Sequence, residues 1–141
     1  MVSPNELLVC ASDAEALALM MGERRRINAL EAAAADALFE LLSEARLLPD
    51  GELPPERVAM RSEVLYQETP GERRRAIVLA YPEDANAARG RISVLSPVGL
   101  SLLGRAPGAI VGPAMPAGRV LRVHILETAK PPHTLAASLE R

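Results

Sequence analysis

The stretch Ile92-Ser93-Val94-Leu95-Ser96-Pro97-Val98-Gly99-Leu100-Ser101-Leu102-Leu103-Gly104-Arg105-Ala106-Pro107-Gly108 decides the fold. Its first four residues form an apolar run suited to a buried strand. The chain turns at Ser96-Pro97 and enters a short apolar helical piece carrying Val98, Leu102 and Leu103. Gly104 ends that piece, and Pro107-Gly108 signals a turn before a second apolar pair, Ile110-Val111. The order is therefore strand, one-turn helix, turn and strand, with the apolar residues facing one core. The Ser96 hydroxyl is placed to cap the helix. It is not read as a nucleophile, because no Gly-x-Ser-x-Gly elbow surrounds it and no histidine partner is indicated. Gly99, Gly104 and Gly108 are too widely spaced to cradle a phosphate and read as turns or close backbone contacts.

On both sides of this stretch the apolar pattern moves toward a period of two. It predicts strands near 58–66, 74–81, 91–95, 109–112 and 119–128. Thr69-Pro70-Gly71-Glu72 is a hairpin turn between the first two, and Pro113-Ala114-Met115-Pro116-Ala117-Gly118 is a turn before the last. The result is an antiparallel sheet with a short helix. Upstream, Pro49-Asp50-Gly51-Glu52-Leu53-Pro54-Pro55 cannot continue a helix and reads as a linker.

Before that linker, Leu7 to Cys10 predicts a short strand, and Ser12-Asp13-Ala14-Glu15 reads as a capping box. A first helix should run from about 13 to 23 with Leu17, Leu19, Met20 and Met21. Gly22-Glu23-Arg24-Arg25-Arg26 interrupts the pattern. A second helix, from about 28 to 47, carries Leu30, Ala34, Ala37, Leu38, Leu41 and Ala45 at three- and four-residue steps. Two helices with a short connector form an antiparallel hairpin. Ala32 to Ala35 favour helix but offer little area to bury. The fold class is α+β: residues 1–48 form a strand and helical arm, 49–56 a linker, 57–130 the sheet domain and 131–141 a tail.

The chain has 141 residues, 49% apolar and 2% aromatic, so its core must be aliphatic. With 16 basic and 18 acidic residues, its net charge of −2 gives no global attraction to nucleic acid or anionic membrane. The single cysteine, Cys10, excludes an internal disulfide and reads as a buried small hydrophobe. No apolar run is long enough for a membrane span and no secretion signal opens the sequence, which makes the cytoplasm the expected location. His124 lies in a strand pattern opposite Val123 and Ile125, and should face solvent or a hydrogen-bond partner. His133 falls in the tail. Two histidines and one cysteine make no zinc set. No catalytic residue, metal ligand or cofactor-binding residue is assigned.

The motif Ile92-Ser93-Val94-x-Ser96-Pro97-x-Gly99-x-x-Leu102-Leu103-Gly104-x-x-x-Gly108 resembles the C-terminal domain of bacterial Gre-type transcript-cleavage factors. It resembles still more the short-armed relative called the regulator of nucleoside diphosphate kinase. The similarity extends to Val58-Ala59-Met60-Arg61-Ser62-Glu63-Val64, to Ala80-Tyr81-Pro82-Glu83-Asp84-Ala85 and to residues 120–126. It implies an FKBP-like domain on a coiled-coil arm. An FKBP-like fold suggests prolyl isomerase activity, but such pockets are aromatic and this chain has only Phe39, Tyr66 and Tyr81.

The resemblance implies RNA polymerase as the partner, approached at its secondary channel. Gre-type factors carry acidic residues at the arm tip, which help to hold a second Mg²⁺ and its attacking water. Here the tip reads Gly22-Glu23-Arg24-Arg25-Arg26-Ile27-Asn28, and three guanidiniums would repel a metal cation. The expectation is a non-enzymatic regulator that acts by occupancy and competes with cleavage factors. Its partner-binding residues would be Arg24, Arg25, Arg26 and Asn28 at the tip, with Ser96, Pro97, Val98 and Gly99 on the domain. The arginines also fit a solvated, charge-balanced loop, and Arg73-Arg74-Arg75 carries the same two readings. A cleavage factor with an unusual tip, or an adaptor or homodimer using the Ala/Leu-rich arm, remain the alternatives. One departure from the family is Gly108-Ala109, where Gly-Asp is common.

Overall fold

The computed structural model describes residues 2–23 and 29–130. The tip residues Arg24, Arg25, Arg26 and Asn28 and the tail with His133 lie outside the described residues.

Strand β1 (Leu8–Cys10) leads directly into helix α1 (Ala11–Glu23), and α2 (Ala29–Glu44) returns to strand β2 (Arg46–Leu48). β1 and β2 pair in parallel, Leu8 opposite Arg46 and Cys10 opposite Leu48. Both helices therefore attach at one end to the same small sheet. The apolar spacing predicts a second helix as far as 47. It ends at Glu44 instead, and the Arg46 amide donates to the Leu7 carbonyl. The capping box is also corrected: α1 begins at Ala11, so Ser12 lies inside the first turn and its amide donates to Asp50 Oδ1 at 3.1 Å. Cys10 is half-buried rather than a core residue.

The main sheet has the order β5-β4-β3-β7-β6, built from β3 (Glu63–Thr69), β4 (Arg74–Ala80), β5 (Arg91–Ser93), β6 (Ile110–Val111) and β7 (Arg122–Ala129). The β3–β4 hairpin forms around residues 69–72 as its turn signal requires. β7 pairs antiparallel with β3 and β6. The expectation of a wholly antiparallel sheet fails at one edge, where β5 runs parallel to β4. Residues 81–90 make this possible: two single helical turns, Pro82–Asp84 and Ala87–Arg89, carry the chain back to the start of the next strand.

The first strand of the sheet starts later than the alternation suggested. Val58, Ala59 and Met60 are all buried, a pattern no half-buried strand shows. These residues form a tight bend in which the Ala59 amide donates to Ser62 Oγ and Arg61 sits at φ 69°. Helix α3 (Pro97–Leu102) lies between β5 and β6 and buries Leu102 completely.

One apolar cluster joins the two sheets. Leu17 and Met21 from α1 and Ala35 and Leu38 from α2 meet Val58, Val64, Leu79, Val94, Leu102, Leu103, Val123 and Ile125. Spacings of four and three residues place the helical members on one face each. Leu19 faces outward and is 60% exposed.

Candidate functional site

The turn into α3 is built around Ser96. Its Oγ donates to the Ser93 carbonyl at 2.7 Å and accepts from the Gly99 amide at 3.0 Å. Pro97 at the first helical position fits a capped start, since its missing N–H has no partner to lose. The expected cap is therefore present, and it commits the hydroxyl to structure. Gly99 is buried, and a Cβ there would stand 2.1 Å from the Ser93 carbonyl oxygen. Only glycine lets α3 approach β5 this closely. The turn brings Ser96, Pro97, Val98 and Gly99 together, with Pro97 exposed and Ser96 and Val98 half-buried.

Behind this turn, α2 and α3 border a groove of about 730 Å³. Ala33, Ala34, Ala37 and Leu41 line it from α2, and Pro97, Leu100 and Ser101 line it from α3. The alanine run thus leaves open space between the helices. Leu95, Arg105 and residues 111–116 supply the remaining wall.

Arg57 was not singled out by its sequence context, yet it holds the N-terminal segment to the sheet domain. It is 3% exposed. Its Nη1 donates to the carbonyls of Glu6 and Gly104 at 2.6 and 3.2 Å, and its Nη2 to that of Ser3 at 2.9 Å. Gly104 completes the contact: its carbonyl accepts from the Leu8 amide, and its φ of 82° suits a residue without Cβ. At the other side of the junction, the Met60 amide donates to Asp13 Oδ2 at 3.0 Å. Hydrogen bonds from Ser12 hold the Asp50 carboxyl below its ordinary range.

The second basic triplet splits. Arg75 Nε pairs with Glu68 Oε1 at 3.2 Å and Arg74 Nε donates to Gln67 Oε1 at 3.2 Å, while Arg73 is exposed. His124 is exposed on β7 between buried Val123 and Ile125, as alternation required. Burial pushes the Tyr81 phenol up, with the Asp13 carboxylate adding to it, although the Arg61 guanidinium lies 5.6 Å from the ring centre. Among the described residues, no three His, Cys, Asp or Glu side chains converge as a metal set, and no helix is long and apolar enough to cross a membrane.

Comparison with known proteins gives this geometry a family. The model of the GreA/GreB transcription elongation factor C-terminal domain matches residues 53–130, more than half of the chain. The chain belongs to the GreA/GreB C-terminal family. A regulator of nucleoside diphosphate kinase from Escherichia coli is 31% identical over 93 residues, covering 66% of this chain and 68% of that protein. A transcription elongation factor GreA from Chloroherpeton thalassium is 32% identical over 89 residues. That alignment covers 63% of this chain and spans 56% of the GreA relative's length. Among solved structures, a GreA/GreB elongation factor from Nitrosomonas europaea superposes with a TM-score of 0.68 at 31% identity, covering 88% of this chain and 98% of the other. The GreA/GreB-family match takes in the Arg57 anchor, the five strands of the main sheet and the Ser96 turn.

Proposed function

We propose that the protein is a non-catalytic transcription regulator that binds RNA polymerase at the rim of its secondary channel. Its sheet domain, FKBP-like in kind, docks through Ser96, Pro97, Val98 and Gly99. Its two helices act as a short coiled-coil arm whose tip presents Arg24, Arg25, Arg26 and Asn28 to acidic groups at the channel entrance. The observation that carries the reading is the elongation-factor family match over residues 53–130, which includes the whole turn around Ser96.

The chain's own residues supply the non-catalytic part. Glu23 is the one carboxylate in the Gly22–Asn28 connector, beside three arginines, so Mg²⁺ would meet net positive charge there. Helix α1 has 13 residues, about 20 Å at 1.5 Å per residue, which gives a short reach. Occupancy of the channel entrance is then the available mode of action, in competition with cleavage factors. Co-purification with core polymerase tests the docking. Wild type should be retained, and changing Arg24, Arg25 and Arg26 together to alanine should weaken retention. Absence of binding at micromolar protein would remove the reading.

A further inference from the structure

The groove between α2 and α3 has a composition that docking through an exposed turn does not require. Ala34 and Ala37 line it where larger apolar side chains would have closed the two helices onto each other. Its volume of about 730 Å³ falls within the roughly 300–1,000 Å³ of small-molecule sites. Leu41 and Leu100 extend the apolar wall, and among the described residues no aromatic ring lines it. A flat ring would find nothing to stack on, whereas a flexible aliphatic chain would meet alanine, leucine and proline throughout.

Among the described residues, the lining contains one charged residue, Arg105. Its Nη1 donates to the Asn5 carbonyl, and its Nε is buried without an acceptor. No carboxylate pairs with it among the described residues. Burial alone pulls its pKa down, the sign of a guanidinium that has lost water without gaining a counter-charge. An unpaired cation beside an apolar groove favours a ligand with one negative charge at one end. A phosphate monoester would bring a second charge with nothing to balance it. Ser101 adds no free donor, since its hydroxyl already donates to the Val98 carbonyl.

We propose that this groove binds an aliphatic carboxylate, the chain lying along the alanine face of α2 and the head group pairing with Arg105. The site is defined without reference to polymerase, so its test stands apart from the docking reading. Pro97 nevertheless belongs to both, and a bound ligand would sit directly behind the docking turn.

Calorimetric titration of the full chain with decanoate, below its micellar concentration, tests the proposal. Wild type should bind one decanoate per chain, and 1-decanol, with the same chain and no charge, should bind at least tenfold more weakly. Arg105→Ala should lower decanoate affinity to the level of decanol. Because Arg105 also holds the Asn5 carbonyl, the deciding variant is Ala37→Phe, at an exposed position of α2. It should fill the groove and abolish decanoate binding while the circular dichroism spectrum stays that of wild type. No saturable decanoate binding, equal affinity for decanoate and decanol, or undiminished binding by Ala37→Phe would each overturn the proposal.

Discussion

At Gly99 the absence of a side chain sets the distance between a helix and a strand. A methyl group there meets the Ser93 carbonyl oxygen at 2.1 Å, and that oxygen is fixed by the Ser96 hydroxyl. Gly99→Ala should therefore destabilise the protein by roughly 2–3 kcal/mol through forced displacement of α3. Gly22, with nothing within 4 Å of its added Cβ, is the control: Gly22→Ala should be neutral or stabilise by up to about 1 kcal/mol. Urea denaturation of the pair reads both. Arg57 works through hydrogen bonds instead: Arg57→Met removes the side-chain donor from the carbonyls of Ser3, Glu6 and Gly104, leaving Ser3 and Gly104 only the amides of Glu6 and Leu8. A loss of roughly 3 kcal/mol is expected, with hydrogen exchange at residues 3–8 rising before that of β3. The two residues differ in legibility. Ser96-Pro97 ahead of an apolar run announces a capped helix, and the cap is there. Arg57 follows Pro54-Pro55-Glu56 and reads as polar linker, because its acceptors lie about fifty residues away in sequence.

Among the elements, those with a local cause were readable. The β3–β4 hairpin has its turn residues, and α1 and α2 have apolar positions at helical spacing. β2 has neither: three residues, mostly exposed, follow a helix whose last apolar residues resemble their own. The parallel β5 was hidden because neighbouring strands usually pair antiparallel, and only the path of residues 81–90 reverses that. The groove at Arg105 was equally hidden, being formed by α2, α3 and the chain after β6. Helical packing carries its own prediction. Leu38 is fully buried where α2 meets the common core, so Leu38→Ala should cost about 2–5 kcal/mol. Phe39, the next residue, is 44% exposed, and Phe39→Ala should change stability far less in the same thermal or chemical unfolding experiment.

At the scale of the molecule, one core among the described residues spans the helices and the main sheet, with Tyr66 inside it and Tyr81 packed against it. The Tyr66 phenol is pushed above its ordinary value by burial, with Glu68 adding to the shift, and Tyr81 moves the same way. The folded form therefore keeps protons that the unfolded chain releases near pH 10, and between neutral pH and that point stability should be level, falling above it. With one lysine in the sequence, little else titrates there besides the tyrosines. Tyrosinate absorbance should appear at higher pH in the folded protein than in denaturant, and coincident titrations would contradict the burial. At this scale the proposed action is on polymerase. Its most direct measurement is RNA length in a stalled elongation complex given Mg²⁺, with this protein alone and with a GreA cleavage factor. A non-catalytic occupant of the channel entrance should give no shortening alone and a dose-dependent block of GreA-stimulated shortening. Shortened RNA with this protein alone would contradict it.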